Sequence, residues 1–285
     1  MISSPSVHAW RPAACLRVEG PDAFEFLQGQ FTNDLRELDH RPAVYGLWLN
    51  AKGRVLADSF ILRGPGPAQF YAISYFSPAS VIRERLESYL VADDVTLTDE
   101  TPEWWGYACV GLPSAQPAGS ADMLVFPGRR GLAAQEEWLT RGPREFPEAR
   151  MLLAEDMIRA RLEAGIPAVP AEIGPGELPQ EGGLDEPAIS YTKGCYLGQE
   201  VMARLKSMGQ VRRQLVRVTG TGHPPAIPAA LFQGDKKVGE LRSVIPTAGQ
   251  EFAGMALVTL WQLDRKAGLS LAPGEASCLQ WVEAP

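Results

Sequence analysis

Residues 168–190 interleave Pro170, Pro175, Pro179 and Pro187 with Gly174, Gly176, Gly182 and Gly183. Proline removes a backbone donor, and glycine raises the entropic cost of regular structure. Neither a long helix nor a central strand runs through such a stretch, so the spacing predicts a long loop. Long loops in compact domains are usually functional or disordered. This one leads directly into Lys193-Gly194-Cys195-Tyr196-Leu197-Gly198-Gln199-Glu200, which favours function.

That run packs a thiol, an ammonium, an amide and a carboxylate around two glycines. An ammonium beside a cysteine favours the thiolate, so Lys193 is expected to lower the Cys195 pKa. Gly194 and Gly198 allow positive φ or close approach to the backbone. From Gln199 the pattern turns helical, and Glu200 and Arg204 are spaced to pair on one face. A single cysteine without a marked histidine partner is equally a surface loop residue on spacing alone.

The remaining pattern divides the chain. Before the loop, strands and helices mix. Ala14–Val18 alternates like a strand, and Pro21–Gln28 has helical spacing. Two apolar runs flank a hairpin signal at Asn50-Ala51-Lys52-Gly53. In the clearest helix, 148–163, Leu153, Met157, Ile158 and Leu162 are expected on one face. After Gly209 only strands are predicted, as a small antiparallel barrel or sandwich.

The net charge of −7 argues against a strong, nonspecific grip on nucleic acid. Arg204, Lys206, Arg212, Arg213 and Arg217 cluster in sequence, either as a solvated charged face or as a lining for an anionic ligand. The four cysteines, Cys15, Cys109, Cys195 and Cys278, are far apart and lack metal-ligand spacing. No metal site is expected, and Cys15, Cys109 and Cys278 read as buried free thiols. The sequence shows no secretory signal and no 18-residue apolar run, so a cytoplasmic, non-membrane protein is expected.

The run from Lys193 through Glu200 to Arg204 resembles the K-G-C-Y-x-G-Q-E-x-x-x-R signature of the YgfZ family. Further blocks match in order. They are Gly20-Pro21-Asp22 with Phe26 to Asp34, Asn50 to Arg54, Glu163 to Pro167, and Pro179-Gln180-Glu181. Members of that family are folate-binding proteins related to the aminomethyltransferase of the glycine cleavage system. They are linked to assembly or repair of iron–sulfur proteins and to tRNA modification that depends on them.

The resemblance implies an α+β fold. An aminomethyltransferase-like folate-binding core of two intertwined subdomains would occupy residues 1–208, and a C-terminal antiparallel β-barrel residues 209–285. It implies tetrahydrofolate or another reduced folate as cofactor, and iron–sulfur proteins or their assembly factors as partners of a monomer. Cys195 and Lys193 would be the reactive residues, with Gly194, Tyr196, Gly198, Gln199, Glu200 and Arg204 completing the motif. Glu163, Asn33, Asp34, Gln30 and Glu181 would contact folate. Ala13 and Met157 stand where relatives carry stacking tryptophans, with Trp10 and Trp48 as the available substitutes. The alternative function is a folate-dependent one-carbon (aminomethyl-type) transferase.

Overall fold

The computed structural model describes residues 4–113, 122–261 and 263–282. In chain order the elements are β1 (Ser6–Trp10), β2 (Ala14–Glu19), α1 (Ala23–Gln30), β3 (Val44–Leu49), β4 (Val55–Arg63), β5 (Gln69–Ser74), α2 (Ala79–Glu87) and β6 (Thr96–Asp99). Then come β7 (Trp105–Val110), β8 (Met123–Pro127), β9 (Gln135–Thr140), β10 (Arg150–Met151), α3 (Ala154–Glu163), the single turn α4 (Asp185–Ala188) and α5 (Gln199–Met208). The chain continues through β11 (Arg213–Thr221), β12 (Ala229–Gln233), β13 (Lys236–Pro246) and β14 (Glu251–Thr259) to β15 (Leu279–Val282).

Among the described residues three five-stranded sheets result, ordered β3-β4-β5-β2-β6, β10-β1-β7-β9-β8 and β12-β13-β14-β11-β15. Among the described residues the chain starts in the second sheet with β1, builds the first with β2–β6 and returns to the second with β7–β10. Pairing is antiparallel except between β1 and β10. The β3–β4 hairpin closes as its sequence suggests: Asn50 Oδ1 accepts from the Lys52 and Arg54 N–H groups at 2.9 and 3.0 Å.

The C-terminal sheet does not close into a barrel. Among the described residues, its edge strands β12 and β15 are linked only through isolated bridges, Phe232 with Ser270 and Leu269 with Leu279. Residues 269–270 thus touch both edges without forming a ladder.

The proline-rich stretch is ordered by three glutamates. Glu172, Glu177 and Glu181 accept from the N–H groups of Ala168, Gly174 and Leu178 at 2.8, 3.0 and 2.7 Å. Each also receives arginine: Arg161 of α3 on Glu172, Arg242 of β13 on Glu177 and Arg213 of β11 on Glu181. These pairs fasten the stretch to α3 and to the C-terminal sheet. Beneath it, Leu47, Val55, Leu162, Ile173, Tyr196, Met202, Leu215 and Met255 share one buried cluster. In α3 the inner face differs from the periodicity. Met157 and Leu162 are buried, but Leu153 and Ile158 are exposed, and Arg161 takes an inward place because Glu172 neutralises it there.

Candidate functional site

Residues 188–197 are stapled to the end of α1. The Thr32 hydroxyl donates to the Ala188 carbonyl at 2.7 Å, and the Ser190 and Leu197 N–H groups donate to the Thr32 and Gly29 carbonyls at 3.1 and 3.2 Å. The strongest staple is Lys193, whose buried Nζ donates to the carbonyls of Gln28, Phe31 and Asn33 at 2.7, 2.7 and 2.8 Å. These are oxygens at and just beyond the C-terminal end of α1, where a cation is favoured. All three donors of the ammonium are thereby used, so Lys193 is a strut under the loop.

Desolvation pulls the Lys193 ammonium down from 10.5 to about 8, with Asp34 opposing. Between those values the unfolded chain holds the extra proton. The stability linked to this group is therefore fully present above the unfolded value and is lost as pH falls through about 8. Wild-type stability relative to Lys193→Met should rise by about 2 kcal/mol between pH 7.5 and pH 9.5. Urea melts at the two pH values measure this, and parallel pH dependences in the two proteins would refute it.

Between the staples the loop is open. Cys195 is an exposed free thiol. Gly194 has an ordinary φ, and a Cβ there would meet nothing within 4 Å, so its backbone does not demand glycine. Gly198 does: its φ is +89°, and a Cβ would lie 3.2 Å from the Asn50 carbonyl oxygen. Tyr196 is buried, its hydroxyl has no partner, and burial pushes the phenol up so that it stays neutral. The Gln199 N–H closes the turn onto the Tyr196 carbonyl at 3.2 Å. Glu200 and Arg204 are exposed and form no ion pair among the described residues, contrary to their helical spacing. The other cysteines are less available. Cys15 and Cys109 are buried, and desolvation raises both thiols, that of Cys109 to about 12. Cys278 is half-buried rather than buried.

The expected folate contacts separate. Asn33 and Asp34 line a cleft of about 720 Å³ with Tyr45, Phe60, Arg129, Lys206 and residues of the loop before Lys193. Arg36 holds the Asp34 carboxyl well below the usual range. The Asn33 amide donates to the Tyr45 carbonyl at 2.9 Å. Gln30 lies elsewhere, its Oε1 accepting from Arg85 at 3.0 Å. Glu181 is buried on Arg213. Glu163 is exposed at the end of α3 and lines neither this cleft nor the smaller cavity beside it, while its carbonyl accepts from Arg217. The basic cluster disperses too: Arg213 binds glutamates, Lys206 lies 3.8 Å over the Tyr191 ring, and Arg204 is exposed.

The smaller cavity, about 210 Å³, is lined by Trp10, Tyr75, Phe76, Met157, Arg130 and Arg161 among others. The Trp10 indole N–H is buried and without a partner. Trp48, by contrast, is core, and donates to Ser59 at 3.0 Å. Tyr75 and Arg130 line the cavity, and the neighbouring Arg129 lines the cleft. Between them the Tyr75 hydroxyl accepts from the Arg129 N–H at 3.1 Å and donates to buried Glu137 at 2.8 Å.

Sequence reasoning missed Asp58, which lies under the cleft. It is buried and accepts from the Tyr45, Ser74 and Ser77 hydroxyls at 3.0, 2.8 and 2.8 Å, while burial raises its pKa. A lone aspartate inside the apolar run Val55–Leu62 was its available signal. Arg129 was missed as well. Its guanidinium lies 4.5 Å over the Tyr45 ring and forms no ion pair among the described residues.

Known proteins share this architecture. Aminomethyltransferase T of the glycine cleavage system from Bartonella henselae superposes over 99% of this chain and 86% of its own, with a TM-score of 0.79 at 18% identity. Residues 12–117 match the family described as the GCVT N-terminal domain. The fold is thus that of the aminomethyltransferase class, with an exposed cysteine on a stapled loop.

Among curated proteins, the mitochondrial iron–sulfur cluster assembly factor IBA57 is 31% identical in mouse, over 86% of this chain and 75% of the relative. The human IBA57 is also 31% identical, over 92% of this chain and 79% of the relative. The tRNA-modifying protein YgfZ of Klebsiella pneumoniae (strain 342) is 28% identical, over 80% of this chain and 75% of the relative. The chain belongs to this YgfZ/IBA57 family, related to aminomethyltransferase T. Among the described residues no helix is long and apolar enough to cross a membrane.

Proposed function

We propose that this chain is a folate-binding accessory protein for iron–sulfur proteins, with Cys195 as its reactive group. The observation that carries the reading is the loop itself. Lys193 and the backbone staples fix both sides, while the thiol between them stays exposed. Such a thiol is built for contact with another molecule. Four thiolates normally hold an iron–sulfur cluster. The described residues bring no three His, Cys, Asp or Glu side chains together as a metal site, so a cluster in transit takes its other ligands from a partner. The names of the relatives support this class of partner, and tRNA modification follows where the modifying enzymes are themselves iron–sulfur proteins. A cytoplasmic monomer remains the simplest setting.

The two cavities fit a reduced folate better than Glu163 does. The aromatic cavity with Trp10, Tyr75 and Met157 suits a flat ring, and the unpartnered Trp10 N–H is a donor for it. The cleft beside it supplies Arg129 and Lys206 for the carboxylates of a glutamate tail, and its volume lies in the range of small-ligand sites. When bound, the cofactor would carry one-carbon units or reducing equivalents. Asn33 and Asp34 would shape the rim, and Arg129 would orient the tail.

A second reading, a folate-dependent one-carbon transferase, is favoured by the fold and by the buried acid Asp58 below the cleft. One experiment addresses both. Tetrahydrofolate titrated against tryptophan fluorescence should saturate, and Arg129→Ala should weaken binding by about 1.5–3 kcal/mol, whereas Glu163→Ala should change it little. No binding at millimolar tetrahydrofolate would remove folate from the function. Turnover with a one-carbon donor would instead establish the transferase.

A further inference from the structure

The residues lining the aromatic cavity include three arginines and no carboxylate. Arg11 is exposed, and it donates to the Pro102 carbonyl at 2.7 Å. The two buried arginines are neutralised from behind. Arg161 pairs with Glu172 at 2.6 and 2.8 Å, and Arg130 with the fully buried Glu137 at 2.8 Å. A countercharge this close cancels most of each arginine's field across the cavity. The cavity therefore offers hydrogen-bond donors without a strong net charge. Such a lining suits a neutral acceptor, such as a ring carbonyl. A carboxylate would be desolvated there without a free cation to meet it.

The two buried arginines differ in what they have left to give. Arg161 spends both Nη groups on Glu172 and the Ile166 carbonyl. Arg130 binds Glu137 through Nε alone, and its Nη groups have no hydrogen-bond partner among the described residues. They are not enclosed by neighbouring atoms. Arg130 is only 6% exposed and lines this cavity but not the cleft, so the open side of its fork is the cavity. The Tyr75 and Trp10 rings lie 3.8 and 4.6 Å from the guanidinium carbon. Pinned at Nε and between two rings, the fork is a fixed pair of donors with little entropy left to lose.

We propose that Arg130 selects the ring bound in this cavity by its carbonyl edge. The inference rests on the folate reading of the cavity and adds which group of the ring meets the arginine. For a pterin that group is the 4-oxo oxygen, an acceptor. The 2-amino group is a donor and is kept off the fork. In a 2,4-diaminopteridine an amino group replaces the 4-oxo oxygen. Donor then faces donor in a desolvated site, and the analogue is rejected by repulsion as well as by a lost bond. Arg130 is thus a specificity-determining residue, and Glu137 positions it.

Tetrahydrofolate and its 4-amino analogue, tetrahydroaminopterin, differ in that one group and test the assignment. Both are titrated against tryptophan fluorescence, and the ratio of their affinities is the readout. Wild-type protein should bind tetrahydrofolate about tenfold more tightly, or better. Arg130→Met combined with Glu137→Gln removes the fork without stranding a buried carboxylate, and should bring the ratio to within about threefold of unity. Arg129→Ala should weaken both ligands alike and leave the ratio unchanged, because the tail is common to both. Equal affinities in wild type overturn the assignment. So does a ratio retained by the folded double variant, or one lost in Arg129→Ala. If the double variant does not fold, Arg130→Lys decides. It keeps the charge but not the planar fork, so the ratio should fall, and an unchanged ratio overturns the assignment. Failure of the folate reading looks different: neither ligand then binds at millimolar concentration.

Discussion

A Cys195→Ala variant should melt within about 2 °C of wild type and yet fail to restore iron–sulfur enzyme activity in cells lacking the gene. The first half follows from exposure. The thiol is solvent-facing and makes no structural bond, and such substitutions usually stay within about 0.5 kcal/mol. The second half follows from the loop. Six bonds hold the segments on either side, and none of them involves Cys195. Glycine cleavage should be unaffected in the deletion strain. The measurements are thermal melting and the activities of iron–sulfur enzymes under oxidative stress. Full restoration by the variant would take the thiol out of the mechanism. A fall in melting temperature of more than about 5 °C would make it a structural residue.

Glu172→Ala should destabilise the fold by about 3–5 kcal/mol, because it leaves Arg161 buried without its counter-charge. The pair is bidentate at 2.6 and 2.8 Å, with side chains 8% and 1% exposed, and Glu172 also caps the Ala168 N–H. Losing it frees the start of the proline-rich stretch. Arg161 also lines the aromatic cavity, so the variant should bind tetrahydrofolate more weakly even when folded. Combining it with Arg161→Leu should recover part of the lost stability, since the uncompensated charge is then gone. Thermal melts of the single and double variants measure this. Additive losses would show that the pair carries no coupling.

Local chemistry was legible from the residues alone. The hairpin at Asn50–Gly53 follows from Asn50 satisfying its own turn, and α1 and the run of C-terminal strands follow from short-range periodicity. The motif from Lys193 to Glu200 is contiguous, and it identified the family before any contact was known. Gly198 was rightly singled out, because its need for positive φ is a property of the turn itself. At Gly194 the positive φ that the sequence allowed is not used, and the space beside the residue is open.

The tertiary structure alone decided which charges meet. Lys193 lies two residues before Cys195 in sequence, but its ammonium is spent on carbonyls some 160 residues earlier. Glu181 and Asn33 both sit in blocks that match the family, yet folding gives one to Arg213 and leaves the other at a cleft. Periodicity placed Leu153 and Ile158 inside, whereas Arg161 took the inner face because Glu172 arrives there from a later segment. Asp58 and Arg129 carried no sequence signal strong enough to single them out, for the same reason. A polar side chain's role is fixed by its partner, and partners distant in sequence are chosen by the packing of the sheets. The apolar pattern that drives that packing says where side chains are buried but not which buried charge finds a counter-charge and which is left for a ligand.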